Sequence, residues 1–551
     1  MPNVRLALAQ TNPTVGAIQA NLAQILEQVV LAKQVGADIL VFGEMALTGY
    51  PIEDLASRES FILEAELAVK ALASKVVELG YEDLAVVIGH PAMANVQEQT
   101  GWAIAKNCAS VIRGGEVIGT YAKHHLPNYS VFDEYRNFVP GNELLTFEHK
   151  GLKFSTVICE DIWQEGGPVS KLADAKTDVA LILNGSPFEI DKDDKRLSLV
   201  KNLVQRQDCA AAYVNLVGGQ DDLVFDGDSI VIDSKGRLIA RAKQFKSDLV
   251  FIDIAAKDDM AVVGEHHLTK PNDNWQAWNA LVLGLRDYIQ KNGFKSVVLG
   301  LSGGIDSAVC ATIAADAIGP ENVFGVSMPS RYSSTGSKDD AEDLASRRGI
   351  NYRIQAIENL VSPFESALDL TGLPAENLQA RVRGVILMAL SNKEGHLTLT
   401  TGNKSELAVG YSTIYGDSVG GYAPLKDVEK SLVWELAKWR NDYARSRNEV
   451  EPIPVSSIEK PPSAELRPDQ VDQDSLPPYD VLDAILESYI NQRKSRADLV
   501  LLGFDQAIIE KVLTLVDRAE WKRRQGAIGP KITGMAFGRD RRLPITNKYK
   551  G

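Results

Sequence analysis

The sequence predicts an α/β protein of two domains. Three observations carry the prediction. At 551 residues the chain is too long for one hydrophobic core, and two large domains are the natural division. From Val4 to about Ile254, many short apolar β-runs alternate with a few long helical segments. That pattern predicts two stacked sheets with helices outside. Beyond Val297 the order is strand, helix, strand, which predicts a parallel sheet with helices on both faces. The domains are read as residues 1–255 and 275–551, joined by a polar linker at 256–274 that Pro271-Asn272 punctuates.

Composition bounds the function. Hydrophobic residues make up 45% and charged residues 24%, as in soluble globular proteins. A net charge of −14 argues against a nucleic-acid or anionic-membrane partner, so an anionic substrate must be met by local groups. The N-terminus opens directly on a strand, and no run approaches the ~18 apolar residues that span a bilayer. Four cysteines without a C-x-x-C pair indicate a reducing compartment, with the cytoplasm as default, and no zinc module.

In the first half, Val4–Gln10 reads as a strand. Ile18–Gln34 reads as a helix with Leu22, Ile25, Leu26 and Val29 on one face. Residues 38–42 form a buried strand that delivers Glu44. Residues 64–77 read as a helix and 84–89 as a strand. Residues 102–112 and 116–121 pair as a hairpin across Gly114-Gly115. Strands at 154–158, 179–183, 210–216 and 229–233 follow. Glu44, Lys123 and Cys159 thus fall at or just beyond strand ends, where α/β sites gather. A thiol is mostly protonated at neutral pH. A carboxylate can take its proton, and an ammonium, helped by the Glu160 N–H, can hold the oxyanion formed on attack. Cys108, Cys209 and Cys310 lie inside apolar runs and read as core. The adjacent His266 and His267 would point apart on a strand and read as linker or surface residues.

The segments V-F-G-E-M-A-L-T-G-Y-P, Y-A-K-H-H-L-P-N-Y and T-V-I-C-E-D-I-W resemble the nitrilase-type amidase family. The resemblance implies a four-layer α-β-β-α sandwich and a catalytic Glu–Lys–Cys triad at Glu44, Lys123 and Cys159. By similarity to glutamine-using members, Tyr129, Ser186 and Lys192 are expected to contact glutamine. Relatives often carry a basic residue before the lysine, where this chain has Ala122.

The second half is organised around K-S-V-V-L-G-L-S-G-G-I-D-S-A-V-C-A-T, residues 295–312. An apolar strand turns through Ser302, Gly303 and Gly304 and opens an Ala-rich helix near Ile305. Glycines let the backbone approach an anion, and the first-turn N–H groups face it with the positive end of the helix dipole. Ser302 and Ser307 add hydroxyls, and Asp306 suits a magnesium ion seated on phosphate. No G-x-x-x-x-G-K-[ST] occurs, so the loop is not the common P-loop. S-G-G-x-D-S resembles instead the pyrophosphate loop of enzymes that cleave ATP between its α and β phosphates.

A helix at 275–290 leads into this loop, and a strand at 323–328 follows it. A loop at 329–339, carrying S-R-Y-S-S-T-G-S-K, is expected on the adenosine side. Next come a helix at 340–348 and a strand at 352–356. In the helix at 377–390, Arg381 and Arg383 cannot both lie on the apolar face, so one is expected toward an anion. A strand at 397–400 delivers Thr401, Gly402 and Asn403. Glu406 begins a helix near the same edge and offers a second hard oxygen ligand beside Asp306. Residues 450–478, rich in Pro, Ser, Glu and Asp, read equally as a flexible loop or a lid. The tail from Arg523 is basic, with Arg539, Arg541 and Arg542 clustered.

L-S-G-G-I-D-S, N-L-Q-A-R-V-R-G, T-T-G-N-K-S-E-L-A-V-G-Y, K-P-P-S-A-E-L-R-P-D-Q and G-P-K-I-T are similar to the NAD(+) synthetase family. With the amidase half in front, the whole chain resembles its glutamine-dependent members. The resemblance implies a parallel α/β domain of the adenine nucleotide α-hydrolase-like type, acting on glutamine, ATP and deamido-NAD with Mg2+. Gly300, Leu301, Ser302, Gly303, Gly304, Ile305, Asp306, Ser307 and Thr401 are then expected to bind ATP. Asn377, Glu406 and Lys531 are expected to bind the deamido dinucleotide, and Asp306 and Glu406 the metal. Shorter relatives carry a lysine where Ile414 stands, which leaves Lys404 as the first candidate to neutralise pyrophosphate. A homo-oligomer is expected, and so is a sheltered passage for ammonia, which at neutral pH is mostly protonated and then not nucleophilic.

Overall fold

The computed structural model describes residues 3–264 and 268–549. His266 and His267 lie outside the described residues. The chain divides into two compact units: Met1–Gln220 with Val224–Asn272, and Asp221–Leu223 with Asp273–Gly551.

The first unit holds two large sheets. One has seven strands in the order Asp259–Val263, Asp248–Ala256, Val4–Gln10, Ile39–Phe42, Ala85–Met93, Ala105–Arg113, Glu116–Ala122. The other has six: Leu238–Arg241, Ile230–Ile232, Ala210–Asn215, Val179–Asn184, Leu152–Ile158, Leu145–His149. Their central strands run parallel, Leu6 beside Ile39 in one and Val157 beside Ile182 in the other. Central parallel strands are covered on both faces and read as unbroken apolar runs. Ile39–Phe42 and Val179–Asn184 are accordingly buried at every residue. Leu6, Val41 and Val87 of one sheet share a core with Val157, Leu181 and Ala212 of the other. Helix Glu59–Glu78 packs outside the first sheet with Ile18–Gln34 beside it, and Lys192–Gln207 packs outside the second. This is the expected α-β-β-α layering. Gly114 and Gly115 take φ of +62° and +82°, as a two-residue hairpin turn requires.

The stretch expected to be linker from 256 begins instead with an edge strand. Asp259–Val263 pairs antiparallel with Asp248–Ala256. Its charged and small residues hide the short alternation of Met260 and Val262, which pack on the core.

The second unit holds a four-stranded parallel sheet ordered Asn351–Ile354, Val323–Ser327, Val297–Gly300, Leu397–Thr398. All four carboxyl ends therefore open on one edge, where ligands of such sheets bind. Two helices start earlier than their periodicity predicts. Thr335–Arg348 begins inside the expected loop because the Ser334 side chain caps the Ser337 N–H. Leu373–Glu394 begins with a proline in its first turn, where the missing N–H costs nothing. The region 450–478 is not structureless. It holds the short helix Val455–Glu459 and the turn Asp472–Asp474, and Ile453 and Ser457 are buried. A separate helical core of Leu482, Ile485, Leu499, Val512 and Val516 closes the unit.

Candidate active sites

In the first unit, three strand ends deliver one buried cluster. Glu44 follows Ile39–Phe42, Lys123 follows Glu116–Ala122, and Cys159 follows Leu152–Ile158. They are 0%, 1% and 6% exposed. Close approach is built into the backbone. A Cβ on Gly89 would lie 2.5 Å from the Gly43 carbonyl and the Met45 N–H, so only glycine lets the Glu44 turn seat on its neighbour strand. Cys159 itself has φ +40°, a left-handed turn that lifts the thiol out of the strand line.

Lys123 Nζ donates to Glu44 Oε1 at 2.8 Å and to Glu134 Oε1 at 3.0 Å. Glu44 Oε1 also accepts from Asn107 Nδ2 at 2.7 Å, and Oε2 accepts the Gly185 N–H at 2.8 Å. Tyr50 Oη donates to the Glu134 carboxylate at 2.8 Å. Asp161 ties the Lys123 loop to the Cys159 turn. It accepts the N–H groups of Ile158, His124 and His125 and the hydroxyl of Tyr121, between 2.7 and 3.1 Å.

The charges follow from burial. Burial raises the Cys159 thiol well above its ordinary value, and Glu44 is the charge that raises it most. The resting sulfur is therefore a thiol, and its proton must move when it attacks. Burial lowers Lys123, but Glu134 and Glu44 outweigh that and hold it firmly charged. Burial, reinforced by Glu44 against the pull of Lys123, pushes Glu134 up to about 7. Burial above all pushes Cys108 and Cys209 up to about 12. Both are core residues, as is Cys310.

Of the expected glutamine contacts, Ser186 is buried. Its N–H donates to Asn215 Oδ1 at 2.9 Å, and its hydroxyl accepts from Arg196 Nε at 3.2 Å. Tyr129 is half exposed, and its hydroxyl donates to Glu160 Oε2 at 2.9 Å. Lys192 opens its helix and pairs with Glu189 at 3.3 Å. Sequence reading missed Glu134, Asn107 and Arg196. Glu134 sits in a four-residue helix too short to show a pattern, and Asn107 is one polar residue inside a strand. Eleven positions downstream of Lys123, D-E-Y-R was the available signal.

In the second unit, a cavity of about 490 Å³ opens at the carboxyl edge of the parallel sheet. Gly300, Leu301, Ser302, Gly304, Ile305, Asp306, Ser307 and Thr401 all line it, as do Asn377 and Glu406. Gly303 shapes the turn with φ +77°, and a Cβ there would meet the Ser337 carbonyl at 2.1 Å. The loop hydroxyls brace one another. Ser302 Oγ accepts the Gly304 N–H at 3.2 Å, and Ser307 Oγ donates to the Gly304 carbonyl at 3.0 Å. Asn377 accepts from the Thr413 hydroxyl at 2.8 Å. Of the two helix arginines, Arg383 faces the cavity and Arg381 is exposed.

Lys430, which sequence reading missed, bridges the two acidic residues. Its ammonium bonds Asp306 Oδ2 and lies 3.2 Å from Glu406 Oε1. Asn403 donates to Asp306 Oδ1 at 2.9 Å and caps the Glu406 helix. Lys404, the expected pyrophosphate cation, is buried elsewhere. Its ammonium is held by Asp427, Thr533 Oγ and the Met535 carbonyl at 2.7 to 2.9 Å, and it does not line the cavity. Lys338, Lys430 and Lys460 do. Lys531 is buried outside the cavity lining, bound to Asp540 at 2.9 Å and to the Thr533 carbonyl at 2.6 Å. The segment expected as loop or lid borders the cavity from Ser457 to Asp472. Ser457 Oγ donates to the Gly303 carbonyl at 3.0 Å, and Lys460 reaches Asp340 at 2.5 Å.

Two carboxylates already sharing one cation fit a hard divalent ion, which takes one or two carboxylates plus phosphate oxygens. Among the described residues no group of three or more His, Cys, Asp or Glu forms an all-protein cage, so phosphate and water would complete such a shell.

Residues 5–259 match the carbon-nitrogen hydrolase family model, and residues 277–526 match NAD synthase. The chain is 45% identical to the glutamine-dependent NAD(+) synthetase of Acinetobacter baylyi, over 100% of this chain and 99% of that one. It is 44% identical to the Xanthomonas campestris enzyme of the same name, over 100% and 98%. The solved glutamine-dependent NAD+ synthetase of Acinetobacter baumannii, in complex with adenosine diphosphate, is 42% identical, with 99% of each chain covered and a TM-score of 0.77. Likeness at this level extends through both units in one order, and the chain belongs to the family of glutamine-dependent NAD(+) synthetases.

Proposed function

We propose that the first unit hydrolyses glutamine and the second uses the ammonia to convert deamido-NAD to NAD, splitting ATP to AMP and pyrophosphate. The observation that carries this reading is the buried Glu44–Lys123 pair at 2.8 Å, with Cys159 buried at a third strand end of the same cluster.

Glu44 takes the thiol proton as sulfur attacks the side-chain amide carbon. Lys123 and the Glu160 N–H stabilise the oxyanion. Glu44 returns the proton to the departing ammonia and leaves a thioester on Cys159. Glu44 then deprotonates a water that clears the thioester as glutamate. Tyr129, Ser186 and Lys192 hold the glutamine. Glu134 keeps Lys123 charged and in place.

In the second unit, Gly300 to Ser307 and Thr401 hold ATP, and Asn377 and Glu406 hold the dinucleotide, while Lys531, buried away from the cavity, braces the C-terminal segment through Asp540. Support for the nucleotide comes from the Acinetobacter baumannii relative, solved with adenosine diphosphate. The nicotinate carboxylate attacks the α-phosphorus and expels pyrophosphate. Ammonia then attacks the acyl adenylate, loses a proton and expels AMP. Asp306 and Glu406 would hold Mg2+, which supplies positive charge for the phosphates. The Ser457–Asp472 segment, bonded to the loop through Ser457, excludes water from the adenylate.

We infer a homo-oligomer from apolar side chains left exposed on two helices, among them Phe364, Leu368, Leu373 and Val385. The four unpaired cysteines suit a reducing cytoplasm. No helix among the described residues is long and apolar enough to cross a membrane.

Purified enzyme with glutamine and ATP tests the reading. Deamido-NAD should elicit AMP and NAD, while xanthosine monophosphate and tRNA should elicit neither. AMP release driven by another nucleotide acceptor would favour a different amidotransferase.

A further inference from the structure

The loop at 185–187 after strand Val179–Asn184 carries Ser186, and the helix Lys192–Gln207 opens on Lys192. One side chain binds them together. Arg196 is 1% exposed, and it lies one helical turn after Lys192, so the two share a face of the helix. Its NH2 group donates to the Ser186 and Pro187 carbonyls, each at 2.9 Å. Its Nε donates to Ser186 Oγ at 3.2 Å. Its NH1 group donates to both carboxylate oxygens of Asp226 at 2.7 Å. Asn215 clamps the same loop from the other side, accepting the Ser186 N–H and donating to the Ser186 carbonyl at 3.1 Å.

A guanidinium presents its donors in a fixed planar fork. Here one edge grips two successive carbonyls and a hydroxyl of the loop, and the other is anchored on a buried carboxylate. No other side chain can meet both demands. A lysine has one nitrogen to divide between Asp226 and the loop. We propose that Arg196, held by Asp226, is a positioning residue that sets the glutamine subsite, fixing Ser186 relative to Lys192. The proposal rests on the assignment of Ser186 and Lys192 to glutamine. Arg196 itself bonds neither Cys159, Glu44 nor Lys123; its one link to them runs through the loop, whose Gly185 N–H donates to Glu44 Oε2 at 2.8 Å. Asn215 still clamps that loop at Ser186 when Arg196 is lost, so the loss acts on substrate binding before chemistry.

The test compares Arg196→Lys with the parent in three assays. KM for glutamine should rise about tenfold or more, while kcat at saturating glutamine stays within about threefold. Ammonium-driven NAD formation and the rate of Cys159 alkylation by iodoacetamide should be unchanged. A KM equal to the parent's, or a fall in kcat at unchanged KM, overturns the proposal. If Arg196→Lys does not yield folded protein, Asp226→Glu serves, since it keeps every charge but displaces the guanidinium. KM should again rise, and an unchanged KM is contradictory. Ser186→Ala and Lys192→Met separate the two readings. If both leave KM unchanged, the glutamine assignment fails. If both raise it and Arg196→Lys does not, only the positioning role fails.

Discussion

Lys123 shows how much rests on one side chain. It is a fully buried ammonium shared by Glu44 and Glu134, and removing one partner of a buried ion pair strands the rest. Lys123→Met should cost about 3–5 kcal/mol of stability in denaturant unfolding and abolish glutamine hydrolysis; a variant as stable as the parent would refute the shared-cation account. Glu134 gives a pH prediction. Its carboxyl is pushed from 4.5 up to about 7, so between those values the folded state binds a proton that the unfolded state has released. Stability from this group is therefore full below pH 4.5 and is lost as pH rises through about 7. In Glu134→Gln the melting temperature of the first unit should fall less steeply between about pH 5 and 7. Parallel slopes for parent and variant would show that the group does not titrate there. Glu44 and Cys159 were legible because each ends a buried apolar strand, and Lys123 because it ends a strand marked by the Gly114-Gly115 hairpin turn. Glu134 was not, because its partner is found only when distant strand ends converge. Lys404 was chosen and Lys430 missed for the same reason: only packing shows that Asp427 captures the first and that Asp306 at the cavity takes the second.

At the scale of elements, the turn 302–304 at the cavity depends on a backbone shape. Gly303 has positive φ, and any Cβ there would strike the Ser337 carbonyl. Gly303→Ala should abolish ATP-dependent synthesis from ammonium while glutaminase activity persists, measured as glutamate release. Retained synthesis would show that the loop does not depend on this turn. Strong apolar runs such as Val179–Asn184 and Val297–Gly300 were readable because they are buried on both faces. The edge strand Asp259–Val263 and the order within 450–478 were not, since the first is a short run with no fully buried side chain and the second gains its shape from contacts such as Ser457 with Gly303. Helix starts at Thr335 and Leu373 were misjudged because a side-chain cap and a first-turn proline, not apolar periodicity, decide them.

For the whole molecule, the two units divide the chemistry, so damage to one should spare the other's partial reaction. Asp306→Asn removes the carboxylate that Lys430 and Asn403 hold at the cavity. It should reduce NAD formation from either nitrogen source by more than about a hundredfold while Cys159 still alkylates normally; equal loss of both activities would contradict separate sites. The most direct measurement follows nitrogen. With amide-15N glutamine, ATP and deamido-NAD, the parent enzyme should form 15N-labelled NAD with one AMP for each NAD. Cys159→Ala should form none from glutamine yet match the parent when supplied with ammonium. Labelled NAD from the Cys159→Ala variant, or ADP in place of AMP from the parent, would contradict the account.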